Sequence, residues 1–142
     1  AVLIPKVEAS VGGKHRSHCH GACFDFLTRM AEMGVDATEP LEPATWGNND
    51  LAAAKRLVGG RMMLSGNVPS QDFVTMRPEE AREWVRRAIR AGAPGGGFTL
   101  RTTGGNADVD PDLPRDMLAN IIACANAFVE AGLEFGQYPL RV

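Results

Sequence analysis

The chain is short of the residues that usually give a protein away. It has one tyrosine, three cysteines and an aromatic content of 6% over 142 positions. Cys19, Cys23 and Cys124 are odd in number and form no paired framework, which excludes a disulfide scaffold and leads us to expect a reducing, cytoplasmic setting. There is little excess of charge. Fifteen Lys and Arg against seventeen Asp and Glu leave a formal net charge of −2, so neither nucleic acid nor an anionic membrane is expected as a partner. No apolar run approaches the roughly 18 residues that suggest a membrane span. Ala1-Val2-Leu3-Ile4 is too short for a signal peptide and is broken by Pro5. An initiator methionine is also missing, and a trimmed or fragmentary chain is therefore expected. Histidine is scarce as well, and all three copies, His15, His18 and His20, fall in one short segment.

What remains is the composition of an ordinary globular protein, 44% hydrophobic and 23% charged, long enough for a single domain over residues 1–142 with a sizeable core. Residues 2–11 read as the end of a helix closed by Gly12-Gly13. A strand is expected from about His15 to His20, then a helix over Ala22–Met33 whose apolar residues Cys23, Phe26, Leu27, Met30 and Met33 share one face. Val35–Leu41 reads as a strand kept short by Pro40 and Pro43. Asn49 or Asp50 caps a helix over Leu51–Val58. Arg61–Ser65 is the next strand, followed by a Gly66-Asn67-Val68-Pro69 loop. Pro78 opens a helix to about Ala91 with Glu79 and Glu80 in its first turn. Phe98–Thr102 is the fourth strand, and Arg115 to Ala131 the last helix. Four strand–helix units in succession predict an α/β fold with parallel strands and helices packed outside. Four units are half of a (β/α)8 barrel and would leave two open sheet edges, so partner strands from elsewhere are expected, from a missing N-terminal half or from a homo-oligomer.

In barrels the active site gathers at the carboxyl ends of the strands. Here those ends read His18-Cys19-His20-Gly21, Glu39-Pro40-Leu41-Glu42, Ser65-Gly66-Asn67 and Thr102-Thr103-Gly104-Gly105-Asn106. Alternation in a strand puts His18 and His20 on one face and Cys19 on the other. Two imidazoles on one face suit a divalent metal such as zinc, with Glu39 or Glu42 from the neighbouring strand end as a third ligand. The same pair could instead grip a substrate directly. Cys23, in the first turn of a helix, is placed where a thiol pKa falls, although plain packing is the favoured account; Cys124 reads as core. Thr103 and Asn106, flanking two glycines, could wrap an anion or form a plain turn. Arg82, Arg86 and Arg90, interleaved with Glu79, Glu80 and Glu83, read as a solvated helix face with i,i+4 pairs.

Taken together, His-x-His-Gly before a helix, Met33-Gly34-Val35-Asp36, Ala54-Lys55-Arg56, Leu64-Ser65-Gly66-Asn67-Val68, Pro78-Glu79-Glu80, Gly96-Gly97-Phe98 and Phe135-Gly136-Gln137-Tyr138-Pro139 make the chain resemble the uroporphyrinogen decarboxylase superfamily. The resemblance spans nearly the whole chain and corresponds to the C-terminal part of that family's (β/α)8 TIM barrel. It implies one of two chemistries on a small-molecule substrate. One is zinc-dependent methyl transfer with a corrinoid or thiol carrier, using a His-x-Cys pair and a later Cys. The other is cofactor-free decarboxylation of uroporphyrinogen, a lyase step of porphyrin biosynthesis. His18 matches the first zinc ligand of the methyltransferases and His20 stands where their Cys would be, while Thr102-Thr103-Gly104-Gly105 replaces both their later Cys and the decarboxylases' Gly-His-Gly. A two-histidine set would leave zinc harder and more oxygen-preferring than a thiolate set. The reading favoured here is metal-assisted methyl transfer at His18, His20 and Glu39 or Glu42. In the decarboxylase alternative the histidines and Asn67 line a pocket for substrate carboxylates. A third expectation is a non-catalytic half barrel that serves binding or assembly.

Overall fold

A computed structural model describes residues 12–104 and 112–140. The expected first helix over residues 2–11 and Asn106 lie outside the described residues. Four strands, β1 (Arg16–His18), β2 (Ala37–Glu39), β3 (Met63–Val68) and β4 (Phe98–Thr102), form one sheet in the order β1-β2-β3-β4 with every neighbouring pair parallel. Helices α1 (Leu27–Glu32), α2 (Leu51–Val58), α3 (Pro78–Gly92) and α4 (Arg115–Phe135) follow the strands in turn. This mixed α/β arrangement is compatible with half of a βα barrel.

The two faces of the sheet differ. Leu64 and Val68 of β3 are fully buried, and Phe98 and Leu100 of β4 pack onto the same core with Val85, Ile89 and Cys124 from the helices. The ring of Phe98 needs Gly92, where an added Cβ would fall 2.6 Å from it. Alternation sends Met63 and Arg101 to the other face, where Arg101's side chain is 41% accessible. The helices cover one side; the other presents exposed Met63, Arg16 and His18 and partly exposed Arg101 around buried Ser65 and Glu39.

Several boundaries move from their expected places. β1 is three residues long because its partner β2 ends at Glu39, where Pro40 has no N–H to give. The expected helix over Ala22–Met33 begins with a 3₁₀ turn over Phe24–Phe26, since the Phe24 amide is taken by Asn48 Oδ1 at 3.0 Å. β3 reaches Val68, three residues past its expected end. Register pairs running from Leu64↔Phe98 to Val68↔Thr102 pull Gly66-Asn67-Val68 out of the loop that local propensity favours. Asp50 is the α2 cap, its Oδ1 accepting from the Ala53 amide at 2.9 Å.

α4 runs four residues beyond Ala131 and alters two expectations. Its 21 residues reach a mean hydropathy of 1.3 over an 18-residue window, so a helix long and apolar enough to cross a membrane exists, contrary to the first reading; length and composition alone do not distinguish it from a core helix. It docks through Ile121, Cys124 and Ala131, and Asn120 Nδ2 donates to the carbonyls of Phe73 and Met76 at 2.8 and 2.9 Å. Arg82 is not on a simple solvated face either. It crosses to α4, pairs with Glu134 and lies 4.8 Å over the ring of Phe135. Arg86 pairs with Glu83 one turn away, as the spacing predicts in kind.

Candidate functional site

The carboxyl ends of the strands carry a continuous chain of polar side chains. His18 and His20 leave β1 on one face, as alternation requires, and their rings meet edge to face with centroids 4.7 Å apart. His18 and Glu39 are register partners on adjacent strands. His18 Nδ1 lies 3.4 Å from Glu39 Oε1, and His20 Nδ1 lies 3.0 Å from Glu42 Oε1. The two Nε2 atoms face each other at 2.9 Å. Both rings are about half exposed, at 56% and 54%, whereas the two carboxylates behind them are 6% exposed.

Each carboxylate is held from several sides. Arg101 of β4 reaches across β3 to Glu39 Oε2, and Arg16 of β1 comes within 3.4 Å of the same oxygen. Burial alone would push the Glu39 carboxyl up, but the hydrogen bond and charge of Arg101, with His18 and Arg16, outweigh it and hold Glu39 below the usual carboxylate range. Glu42 accepts from the Gly21 amide and from Gln71 Nε2 at 3.0 Å. Gln71 in turn accepts from the Thr103 hydroxyl at 3.1 Å. Gly47 lets the loop close over this corner, where an added Cβ would sit 2.5 Å from the carbonyls of both Glu42 and Gly21.

These contacts fix the chemistry of the rings. An ionised carboxylate only accepts hydrogen bonds, so each Nδ1 carries a proton. In a neutral imidazole that leaves a lone pair on Nε2, and here two such lone pairs point at one another. At 2.9 Å a single N–H···N hydrogen bond between the two Nε2 atoms satisfies that arrangement. Two nitrogens bound tetrahedrally to one zinc at roughly 2.0–2.1 Å each lie about 3.3 Å apart, so the 2.9 Å pair would open by a few tenths of an ångström to hold a metal on its outer side. The Nε2 pair supplies two nitrogen donors to such a site.

Glu39 and Glu42 stand differently from expectation. They occupy the Nδ1 side of the rings, which is the orienting position behind a metal-binding histidine and not that of a third ligand. Among the described residues no group of three His, Cys, Asp or Glu is placed to hold a metal. Thr103 joins the network through Gln71. Asn67 does not join the histidines. It is 5% exposed and lines a separate cleft of about 680 Å³ between α2 and α3, which contains neither histidine.

Cys23 packs in the core, the favoured of its two expected roles. It precedes the 3₁₀ turn and is buried, and that burial pushes its thiol up, with the Asn49 hydrogen bond offsetting only part. Cys124, fully buried as expected, is likewise raised by burial.

Three contributors escaped the sequence reading. Arg16 shares the alternation of His18 and His20 and was legible by the same rule. Arg101, a charge inside a strand that points away from the helices, carried the same signal. Gln71 sits in a 3₁₀ turn over Ser70–Val74 and reaches Glu42 only through tertiary packing. No protein-family model matches this chain, and no curated protein matches it.

Proposed function

We propose that this chain forms the working end of a uroporphyrinogen-decarboxylase-like (β/α)8 barrel, as its C-terminal four strand–helix units, and that the complete enzyme carries out zinc-assisted methyl transfer to a corrinoid or thiol acceptor in the cytoplasm. The observation that carries the metal is the 2.9 Å approach of the two Nε2 atoms with both Nδ1 atoms turned to carboxylates. His18 and His20 would hold the ion. When bound, it supplies Lewis acidity and holds the reacting thiolate or substrate oxygen.

The protein's own groups prepare that position. Glu42, fixed by Gly21 and Gln71, keeps the proton on His20 Nδ1 and sets the plane of its ring. Glu39 does the same for His18 and is kept anionic by Arg101 and Arg16. The open face in front of the rings admits a small molecule, and Thr103 through Gln71 borders its far side.

Cofactor-free decarboxylation of uroporphyrinogen is the second reading. What favours it is the pair of guanidinium groups, Arg16 and Arg101, on the open face, where substrate carboxylates would be drawn. Metal analysis after zinc loading separates the two. One zinc per chain, lost when His18→Ala and His20→Ala are combined, supports the first. Absence of stoichiometric zinc in the unaltered protein under metal-replete conditions defeats it.

A further inference from the structure

We infer that the cleft between α2 and α3 binds a small flat heteroaromatic carboxylate, at a site separate from the histidines and independent of the reading given to them. The cleft holds about 680 Å³, within the range of small-molecule sites. Its walls are Pro43 and Ala44 from the loop after β2, Leu51 and Ala52 from the start of α2, and Ala88 and Ala91 from α3, with Asn67 at the end of β3.

Three features choose the ligand. The first is Asn67, whose side-chain amide is 95% buried by the complement of its 5% exposure, yet makes no hydrogen bond among the described residues. A buried primary amide without partners is costly, and what it lacks is a group offering an acceptor and a donor side by side. A ring nitrogen or N–H beside a carbonyl is such an edge. The second is Trp84, which lines the same cleft and gives it an aromatic wall. The third is Arg87, whose guanidinium lies 5.0 Å over Trp84 and 3.5 Å from Glu83 and whose side chain, 58% exposed, reaches the rim where it can take a second carboxylate. The amides of Leu51 and Ala52, the first two of α2, donate to no partner among the described residues and add donors to the same wall. Asp50 also lines the cleft, but its carboxylate is turned to the Ala53 amide.

Orotate, a pyrimidine with an imide edge and a carboxylate, is a suitable probe. The test is a titration of the isotopically labelled whole chain followed by NMR at the Asn67 side-chain amide and the Trp84 indole. The expected result is that both signals move together and saturate, with a dissociation constant near millimolar. Ala91→Leu, which fills the cleft from a helix position, should weaken binding by about tenfold or more while leaving the rest of the spectrum in place; Asn67→Ala should do the same through the lost edge. Shifts that do not saturate, or that persist in the filled variant, overturn the proposal. Zinc loading has no part in this readout, so failure here leaves the histidine reading untouched.

Discussion

His18 and His20 present their Nε2 atoms to each other at 2.9 Å while Glu39 and Glu42, one for each ring, hold the opposite nitrogens. The carboxylates thus decide what the histidines can bind, because they fix which nitrogen is free. This distinguishes a ligand from a group that orients a ligand.

The distinction can be measured. Glu42→Gln should lower zinc affinity by about 10–100-fold while keeping one zinc per chain at saturation, because the amide still reaches His20 but no longer enforces its tautomer. His20→Ala should instead abolish stoichiometric binding. Competition with a chromophoric chelator reads both. Loss of stoichiometry in the glutamine variant would make Glu42 a ligand after all.

The buried thiols predict an alkaline limb. Burial raises Cys23 and Cys124 in the folded protein. A thiol raised in this way costs nothing below its unfolded value of about 8.5. Above that value the unfolded chain sheds a proton that the folded chain keeps, and stability falls as pH rises. Denaturant melts at pH 7 and pH 10 should show this loss, and Cys124→Ala should show less of it. Iodoacetamide on the native protein should label Cys19 first, since Cys19 alone among the cysteines is partly exposed.

Asp50→Ala removes the side chain that takes the Ala53 amide at the start of α2. The expected cost is about 1 kcal/mol in unfolding free energy, read as a shift in the urea midpoint. Zinc affinity should stay unchanged. A neutral result would mean that packing of Leu51 and Ala54, not the cap, sets the start of that helix.

Arg82 and Arg90 lie on the same helix with different surroundings. Arg82→Ala gives up the pairing with Glu134 and the contact over Phe135, and about 0.5–1 kcal/mol is expected from the ring contact. Arg90 is exposed and forms no salt bridge among the described residues, so Arg90→Ala should be close to silent. Equal effects from the two substitutions would return Arg82 to the solvated face.

Much of this was legible in the sequence, for identifiable reasons. The four strand–helix units follow from periodicity, and β4 over Phe98–Thr102 is found where it was expected because glycines bound it before and after. The meeting of His18 with His20 follows from alternation alone. The roles of Glu39 and Glu42 did not follow, since spacing brings a carboxylate near an imidazole without saying which nitrogen it meets. Asn67 misled for a related reason: its strand end was known, but the turn of its side chain toward α2 and α3 depends on neighbours far away in sequence. At Cys23 position at a helix start argues one way and burial the other, and burial decides for the packing account that was favoured.

The strands lie in the sheet in the same order in which they occur along the chain. Each strand emerging during synthesis therefore finds its docking edge already made by the one before, and none must wait for a later segment to be threaded between neighbours. Assembly by successive addition of this kind keeps contacts short-ranged along the polymer. It also means that, among the described residues, the histidine strand is the template on which the other three are laid in order.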